Sequence, residues 1–230
     1  MLSDRLRNFW NGGGAPVNAG PPRPVNSSRL VARPPRGEVE ETRISRGLDQ
    51  FFGSFRDQSG LSILDLGGAC QENVNFITTL GHKFYSEDFL RIFEETFDDI
   101  ADQSNSRRID SFLRRSLEYP DEQFDGVLAW DALEYMEPAL LAATVDRLLR
   151  ILKPKGYLLT MFHSSERKAM VSCYTFRIQD PRTLQVTQHG ERAAAQRLFN
   201  SSRLEKLFQK FESVKFFLAR DSLREVIVRK

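Results

Sequence analysis

Short apolar runs and segments of helical periodicity alternate along most of the chain. The apolar runs predict strands at residues 63–66, 83–86, 109–113, 124–130, 157–162, 214–219 and 223–228. Apolar positions that recur every three or four residues predict helices at about 41–59, 73–80, 89–100, 138–152 and from 201 onward. Because strands and helices follow one another at short intervals, we expect crossover connections and a mostly parallel sheet with helices on both faces.

This alternation stops after His163 and resumes near Ser201. Within the intervening region, at about 164–199, apolar and polar positions alternate at 174–178 and again at 184–186, which predicts an inserted β-hairpin. The last two strands lie close together in the chain and predict an antiparallel hairpin at the sheet edge. The whole pattern predicts an α/β, doubly wound fold with seven strands in its main sheet.

The first 40 residues differ in composition from the rest. Residues 1–37 hold six of the ten prolines, six arginines and a single acid, Asp4. Such a segment buries too little apolar surface to offset its conformational entropy, so we expect a disordered tail at 1–40 and one domain at 41–230. Two alternatives stay open for the tail: an amphipathic helix that forms on binding, and an organellar transit peptide.

The bulk composition favours a soluble, cytoplasmic protein. Lys and Arg total 33 against 31 Asp and Glu, so the net charge of +2 gives no reason to expect a nucleic-acid partner. The two cysteines fit a reducing compartment and have no metal-ligand spacing. No apolar run reaches the roughly 18 residues of a membrane span.

Acids follow several of the predicted strands. Asp65 ends the first strand and precedes the Gly67-Gly68 turn, whereas Glu87 and Asp88 follow the second strand about twenty residues later. In an open parallel sheet ligands bind beyond the carboxyl ends of the strands, and an acid at this spacing can accept hydrogen bonds from ribose hydroxyls. The alternative role for Asp88 is the N-cap of the following helix.

Five motifs in order resemble one family. They are 63–68 (Ile-Leu-Asp-Leu-Gly-Gly), 84–88, 119–128, 131–135 and 148–157. Over about residues 43–230 the chain resembles the class I S-adenosylmethionine-dependent methyltransferases, in particular the small type 11 domains. The resemblance implies a Rossmann-like fold and S-adenosylmethionine as the cofactor. In this chain Ala69 and Gln71 stand where the family usually has further glycines.

The resemblance also implies individual roles around the cofactor. Gly67, Gly68 and Ala69 would lie against its methionine part, with Asp65 holding the loop. Asp88, or Glu87 in its place, would accept the ribose hydroxyls. The remaining cofactor contacts implied are Phe89 near the adenine, Leu113 or Arg114 at the base edge, and Trp130 along the methionine arm.

We expect methyl transfer to a small-molecule acceptor, without a metal. If the acceptor must lose a proton, Asp131, Tyr135 and His163 are the candidate bases by their position at strand ends. The alternative role of Tyr135 is packing, and the alternative for His163 is a polar residue that closes the fifth strand. The inserted hairpin would form a lid or wall over the acceptor, although its apolar face is also typical of a homodimer contact. Two other functions stay open: a non-catalytic binding or scaffold protein, and a nucleic-acid methyltransferase tethered by the arginine-rich tail.

Overall fold

The computed structural model describes residues 39–97, 100–163, 170–193, 199–218 and 223–230. The strands are β1 (Val39–Ile44), β2 (Ser62–Asp65), β3 (Lys83–Ser86), β4 (Phe124–Trp130), β5 (Leu152–His163), β6 (Met170–Asp180), β7 (Thr183–Ala193), β8 (Ser213–Leu218) and β9 (Leu223–Arg229). The α-helices are α1 (Arg46–Gly53), α2 (Gln71–Thr79), α3 (Phe89–Thr96), α4 (Ser106–Ser116), α5 (Pro138–Ile151) and α6 (Ser201–Leu207). Short 3-10 helices occupy Ile100–Ser104 and Ala132–Tyr135.

The main sheet has the strand order β3-β2-β4-β5-β9-β8. The pairs β2/β3, β2/β4 and β4/β5 are parallel, whereas β5/β9 and β8/β9 are antiparallel. This topology confirms the α/β, doubly wound prediction with its C-terminal hairpin. A second, antiparallel sheet has the order β1-β7-β6, which confirms the inserted hairpin and adds a strand to it.

Adjacent residues of the central strands point into two separate cores. Leu64 and Val127 belong to a core that is covered by α3, α4, α5 and α6. Ile63 and Leu128 belong to the opposite core, which is covered by α1, α2 and the β1-β7-β6 sheet. Side chains alternate between the faces of a strand, so these continuous apolar runs are what a sheet covered on both faces requires. The inserted sheet therefore packs on the same face as the helix that follows β2.

The prediction of a helix beginning near Glu41 is wrong at its N-terminal end. Val39–Ile44 forms β1, which pairs antiparallel with β7, and the helix begins only after Ser45, whose hydroxyl accepts from the Leu48 backbone N–H at 3.0 Å. Ile44 is 64% exposed and does not belong to the buried helix face. β-Branched residues favour a strand where a neighbouring strand offers backbone partners, and β7 supplies them here.

The strand predicted at 109–113 is also wrong, because this segment lies inside α4. Asn105 caps that helix by accepting from the backbone N–H groups of Arg107 and Arg108. Ile109, Phe112 and Ser116 are the buried positions, and their spacing is that of one helix face. The described main sheet consequently has six strands rather than seven.

The other predicted elements are confirmed with shifts at their ends, including α2, β3, α3, β4, α5, β5, α6 and both strands of the C-terminal hairpin. The predicted tail lies almost wholly outside the described residues, as do parts of the predicted 164–199 insertion. None of the described helices is long and apolar enough to cross a membrane.

Candidate functional site

A cavity of about 250 Å³ lies at the carboxyl ends of β2 and β4, beneath the β1-β7-β6 sheet. Its walls come from the glycine loop at 66–70, the start of α3, the segment after β4, and strands β6 and β7. Five of the residues nominated from the sequence line it: Gly67, Gly68, Asp88, Trp130 and Asp131. This edge of a parallel sheet is where ligands bind in open α/β folds.

The carboxylate of Asp65 organises the glycine loop from below. One oxygen accepts from the Gly67 backbone N–H at 2.8 Å and from the Trp130 indole Nε1 at 2.6 Å, while the other accepts from Asn73 Nδ2 at 2.8 Å. Asp65 is fully buried, and burial raises its pKa to about 6 against the lowering effect of these three donors. Asp65 therefore holds the loop and does not itself reach the cavity.

Trp130 lies directly against the glycine loop. A Cβ on Gly67 would come within 2.9 Å of the indole Cδ1, so only glycine allows this approach. The indole also stacks on Phe176 of β6, with ring centroids 5.1 Å apart and an interplanar angle of 6°. Trp130 has φ of +49°, an uncommon value for a residue other than glycine, at the irregular end of β4.

Asp88 stands at the cavity mouth beside Gly68. Its carboxylate caps α3, accepting from the Arg91 backbone N–H at 3.3 Å, and pairs with Arg91 Nε at 3.1 Å. The side chain is 52% exposed, so its oxygens remain accessible to a ligand. Glu87 instead accepts a hydrogen bond from the Tyr119 hydroxyl, and this carboxylate raises the Tyr119 pKa further above the value that burial alone produces.

Asp131 is a buried carboxylate in the cavity wall. Its Oδ2 accepts from the Tyr135 hydroxyl at 2.5 Å and from the Tyr174 backbone N–H at 3.4 Å. Burial raises the pKa of Asp131 to about 6, the Tyr135 hydrogen bond lowers it, and the nearby Glu134 charge raises it. Tyr135 lies behind Asp131, and burial raises the pKa of its hydroxyl well above the usual value.

His163 and Glu134 form a buried pair at the end of β5. His163 Nδ1 lies 2.5 Å from Glu134 Oε2, and the His163 backbone N–H also donates to this carboxylate. The imidazole stacks on Tyr174 with centroids 5.8 Å apart. Within the described part of the chain, the buried Nε2 has no hydrogen-bond partner. Neither His163 nor Tyr135 lines the cavity.

Four nominated residues lie elsewhere. Phe89 is fully buried and packs edge-on against Phe112 in the core, so its ring is not available to an adenine. Leu113 and Arg114 lie in the last turn of α4, and the strand end predicted for them does not exist. Ala69 is exposed in the glycine loop, outside the cavity lining.

A family model described as a methyltransferase domain matches residues 37–212 of the 230-residue chain. The chain belongs to this family. The match confirms the class I S-adenosylmethionine-dependent methyltransferase assignment and S-adenosylmethionine as the cofactor. A comparison with curated protein sequences gives no significant match.

Among solved structures, the methyltransferase is similar to an S-adenosylmethionine-dependent methyltransferase from Archaeoglobus fulgidus (15% identity, TM-score 0.46, covering 80% of this chain and 91% of that one). It is similar to the Burkholderia thailandensis 1,6-didemethyltoxoflavin-N1-methyltransferase, crystallised with 1,6-didemethyltoxoflavin and S-adenosylhomocysteine (12% identity, TM-score 0.44, covering 80% of this chain and 77% of that one). It is also similar to Haemonchus contortus phosphoethanolamine N-methyltransferase 2 (12% identity, TM-score 0.45, covering 80% of this chain and 52% of that one).

The cavity of this methyltransferase fits its cofactor at the glycine loop. Gly68 has φ of +83°, and a Cβ built there would meet nothing closer than Asp88 at 3.9 Å. A side chain at Gly68 would thus fill space beside the Asp88 carboxylate, where a ligand can approach the backbone. The acids Asp88 and Asp131 are also compatible with the positive charge of a sulfonium.

The sequence reasoning missed four contributors to this site: Asn73, Glu134, Phe176 and Arg192. Asn73 stands four residues before the buried Ile77, on the same helix face, and this spacing was the one available signal. Arg192 of β7 pairs with Glu94 of α3 at 2.6 Å and lies over the Tyr135 ring at 5.4 Å. These two contacts join β7 to α3 and to the 3-10 helix at Ala132–Tyr135, which are far apart in sequence, so no local pattern predicts them.

Proposed function

We propose that this methyltransferase transfers the methyl group of S-adenosylmethionine to a small-molecule acceptor bound in the cavity between the glycine loop and the β1-β7-β6 sheet. The observation that carries the proposal is the meeting of Gly68, Asp88 and Asp131 around that cavity. Bound S-adenosylmethionine supplies an already activated methyl group, so the protein has to position the acceptor rather than activate the donor.

On the cofactor side, we assign binding of S-adenosylmethionine to the backbone at Gly67 and Gly68 and to the carboxylate of Asp88. Asp88 is at once a helix cap and an exposed acceptor, so it can take ribose hydroxyls without losing its cap. Trp130 closes the loop from the side of β4. Asp65 holds this arrangement from below through three hydrogen bonds.

On the acceptor side, we assign Asp131 to hydrogen bonding and to proton acceptance where the acceptor atom carries a proton. A carboxylate whose pKa is raised to about 6 stays ionised at neutral pH, yet it is a stronger base than an ordinary aspartate. Tyr135 holds Asp131 by its 2.5 Å hydrogen bond and is therefore a positioning residue.

The proposal of a small acceptor is supported by the dimensions and cover of the cavity. The same cavity of about 250 Å³ has to receive part of the cofactor as well as the acceptor, and it is already smaller than the roughly 300–1,000 Å³ of typical ligand pockets. Strands β6 and β7 supply Tyr174, Phe176 and Arg192 as a wall on one side. A polymer chain would need an open groove there, whereas a compact molecule needs only the space beside Asp131.

Titration calorimetry with S-adenosylmethionine tests the cofactor side. Wild type should bind S-adenosylmethionine. Gly68→Ala should bind it at least about tenfold more weakly, because the added methyl group occupies the space beside Asp88 where the ligand approaches the backbone. Gly60→Ala is the matched control: Gly60 has a similar φ of +74° and open space around it, but it lies outside the cavity lining. Wild-type protein that shows no heat of binding at high micromolar cofactor would refute the enzyme function.

Release of S-adenosylhomocysteine tests the acceptor side. We expect turnover with one or more members of a panel of small aromatic and aliphatic amines, phenols and carboxylic acids, and loss of that turnover in Asp131→Asn. Turnover with RNA or protein fractions alone would contradict the proposal of a small-molecule acceptor and show that the acceptor is a polymer.

A further inference from the structure

The side-chain amide of Asn73 joins the cofactor side of the cavity to the inserted sheet. Asn73 lies in the first turn of α2 and is 2% exposed. Its Nδ2 donates to Asp65 at 2.8 Å and to the Phe176 backbone carbonyl at 3.2 Å, and its Oδ1 accepts from the Ile178 backbone N–H at 2.8 Å. One short side chain thus contacts the glycine-loop support and β6.

The contact with β6 has the form of a strand pairing. In the described three-stranded sheet β6 is an edge strand, so its outward backbone groups meet no further strand there. The amide of Asn73 donates to one of these groups and accepts from another two residues along, as a neighbouring strand would. Buried backbone groups need partners, so Asn73 fixes where β6 can dock.

A second connection runs between the same two parts of the molecule. The Phe176 ring stacks on Trp130, and the Trp130 indole donates to the same carboxylate that Asn73 contacts. The contacts form a closed ring: Asp65, Asn73, Phe176, Trp130 and back to Asp65. The inserted sheet cannot leave this position without removing a donor or a stacking partner from the group that holds the glycine loop.

We propose that Asn73 is a positioning residue that couples the inserted sheet to the cofactor loop, so that cofactor affinity depends on the docked position of β6. This rests on the proposed function, because it takes the Gly67-Gly68 loop to be the cofactor site. Coupling between two binding sites is reciprocal. An acceptor that binds more tightly when β6 is docked therefore strengthens cofactor binding, and the cofactor strengthens binding of that acceptor to the same extent.

The experiment compares Asn73→Ala and Asn73→Ser with Asn75→Ala. Asn73→Ser also removes the amide, keeps a polar atom in the buried site and adds no charge beside the Asp65 carboxylate, which lies 2.8 Å from Asn73 Nδ2, so it remains informative if the alanine variant does not fold. Asn75 lies two residues further along the same helix and is exposed, and its side-chain Oδ1 accepts a hydrogen bond from Gln71 Nε2. All variants are made in a Trp10→Phe background, where Trp130 is the single remaining tryptophan.

Two quantities are measured: the Kd for S-adenosylmethionine by calorimetry and the fluorescence emission of Trp130 without ligand. We expect both Asn73 variants to bind about tenfold more weakly and to emit at longer wavelength, because β6 no longer covers the indole. Asn75→Ala should match wild type in both.

A shifted emission with unchanged affinity would overturn the proposal, because the sheet would have moved without any effect on the cofactor. Weaker binding with unchanged emission would overturn it as well, since Asn73 would then act through Asp65 alone. If wild type itself does not bind S-adenosylmethionine, the proposed function fails. The emission measurement then still decides whether Asn73 holds β6 against Trp130.

Discussion

The Trp130 indole N–H donates to the Asp65 carboxylate at 2.6 Å, across the ends of two neighbouring parallel strands. This bond lets one buried acid support both the glycine loop and an aromatic wall of the cavity. It also places the indole so close to Gly67 that a Cβ there would clash at 2.9 Å. The glycine loop is therefore shaped by Trp130, which lies 65 positions after Asp65 in the chain.

Replacing Trp130 with phenylalanine tests this relationship. The substitution keeps a ring against Phe176 but removes the N–H donor, and a hydrogen bond to a charged group contributes about 1.5–3 kcal/mol. We expect S-adenosylmethionine to bind about tenfold more weakly by calorimetry. Trp10→Phe serves as the control. Equal affinities in the two variants would show that the indole N–H does not support the loop.

The substitution Asp88→Ser separates the two roles of Asp88, the helix cap and the proposed ribose acceptor. Serine is a good N-cap, so α3 should keep its stability, whereas its single hydroxyl is a poor acceptor for two ribose hydroxyls. We expect cofactor binding to weaken by about 1–3 kcal/mol and the thermal midpoint to stay close to wild type. Asp88→Ala should lose binding and also about 1 kcal/mol of stability. Wild-type affinity in the serine variant would make Asp88 a helix cap only.

The raised pKa of Asp131 predicts how stability depends on pH. The folded protein binds a proton to Asp131 up to about pH 6, whereas the unfolded chain loses this proton near the ordinary aspartate pKa of 3.8. This contribution to stability is fully present below pH 3.8 and is lost as pH rises through about 6. The unfolding free energy of wild type minus that of Asp131→Asn should therefore fall by about 3 kcal/mol across this window.

Urea unfolding of both proteins between pH 4 and pH 7 measures this difference. Subtracting the two curves removes contributions from the other titrating groups, including Asp65, whose pKa is raised to about 6 by burial as well. A difference that stays constant or grows with pH would contradict the raised pKa of Asp131.

The buried Glu134 and His163 pair should stabilise the fold around the end of β5. Glu134→Ala removes the acceptor of both the His163 backbone N–H and its Nδ1, and leaves buried polar groups without partners. We expect a loss of about 3 kcal/mol in the unfolding free energy, measured with urea. Glu118→Ala, at an exposed position, should stay within about 0.5 kcal/mol of wild type. If Glu134→Ala and Glu118→Ala had similar unfolding free energies, His163 would have another hydrogen-bond partner in the Glu134→Ala variant.

The apolar pattern by itself determined the doubly wound core, because residues such as Ile63 and Leu64 must point into opposite hydrophobic layers of a two-sided sheet. It also determined the inserted hairpin and the positions of the acids at the strand ends. The apolar pattern is ambiguous where a segment is short. Residues 109–113 are compatible with a strand or with one face of a helix. The structure has a helix there, capped by Asn105 and with Phe112 buried. β1 likewise depends on backbone partners from β7, about 140 residues away in the chain.

Only the tertiary structure decided which nominated residues meet. Periodicity places Asp65, Trp130 and Asp131 at strand ends, but side-chain contacts across the sheet depend on strand order and on what packs above it. The sheet order brought Trp130 onto Asp65, α2 placed Asn73 against Asp65, and the docking of β6 brought Phe176 onto Trp130. Packing in the core removed Phe89 from the site, and the helix at α4 removed Leu113 and Arg114. Contacts between residues distant in sequence leave no local pattern, and this is why the glycine turn and Asp65 were visible in the sequence while the contacts of Trp130 with Asp65 and Phe176 were not.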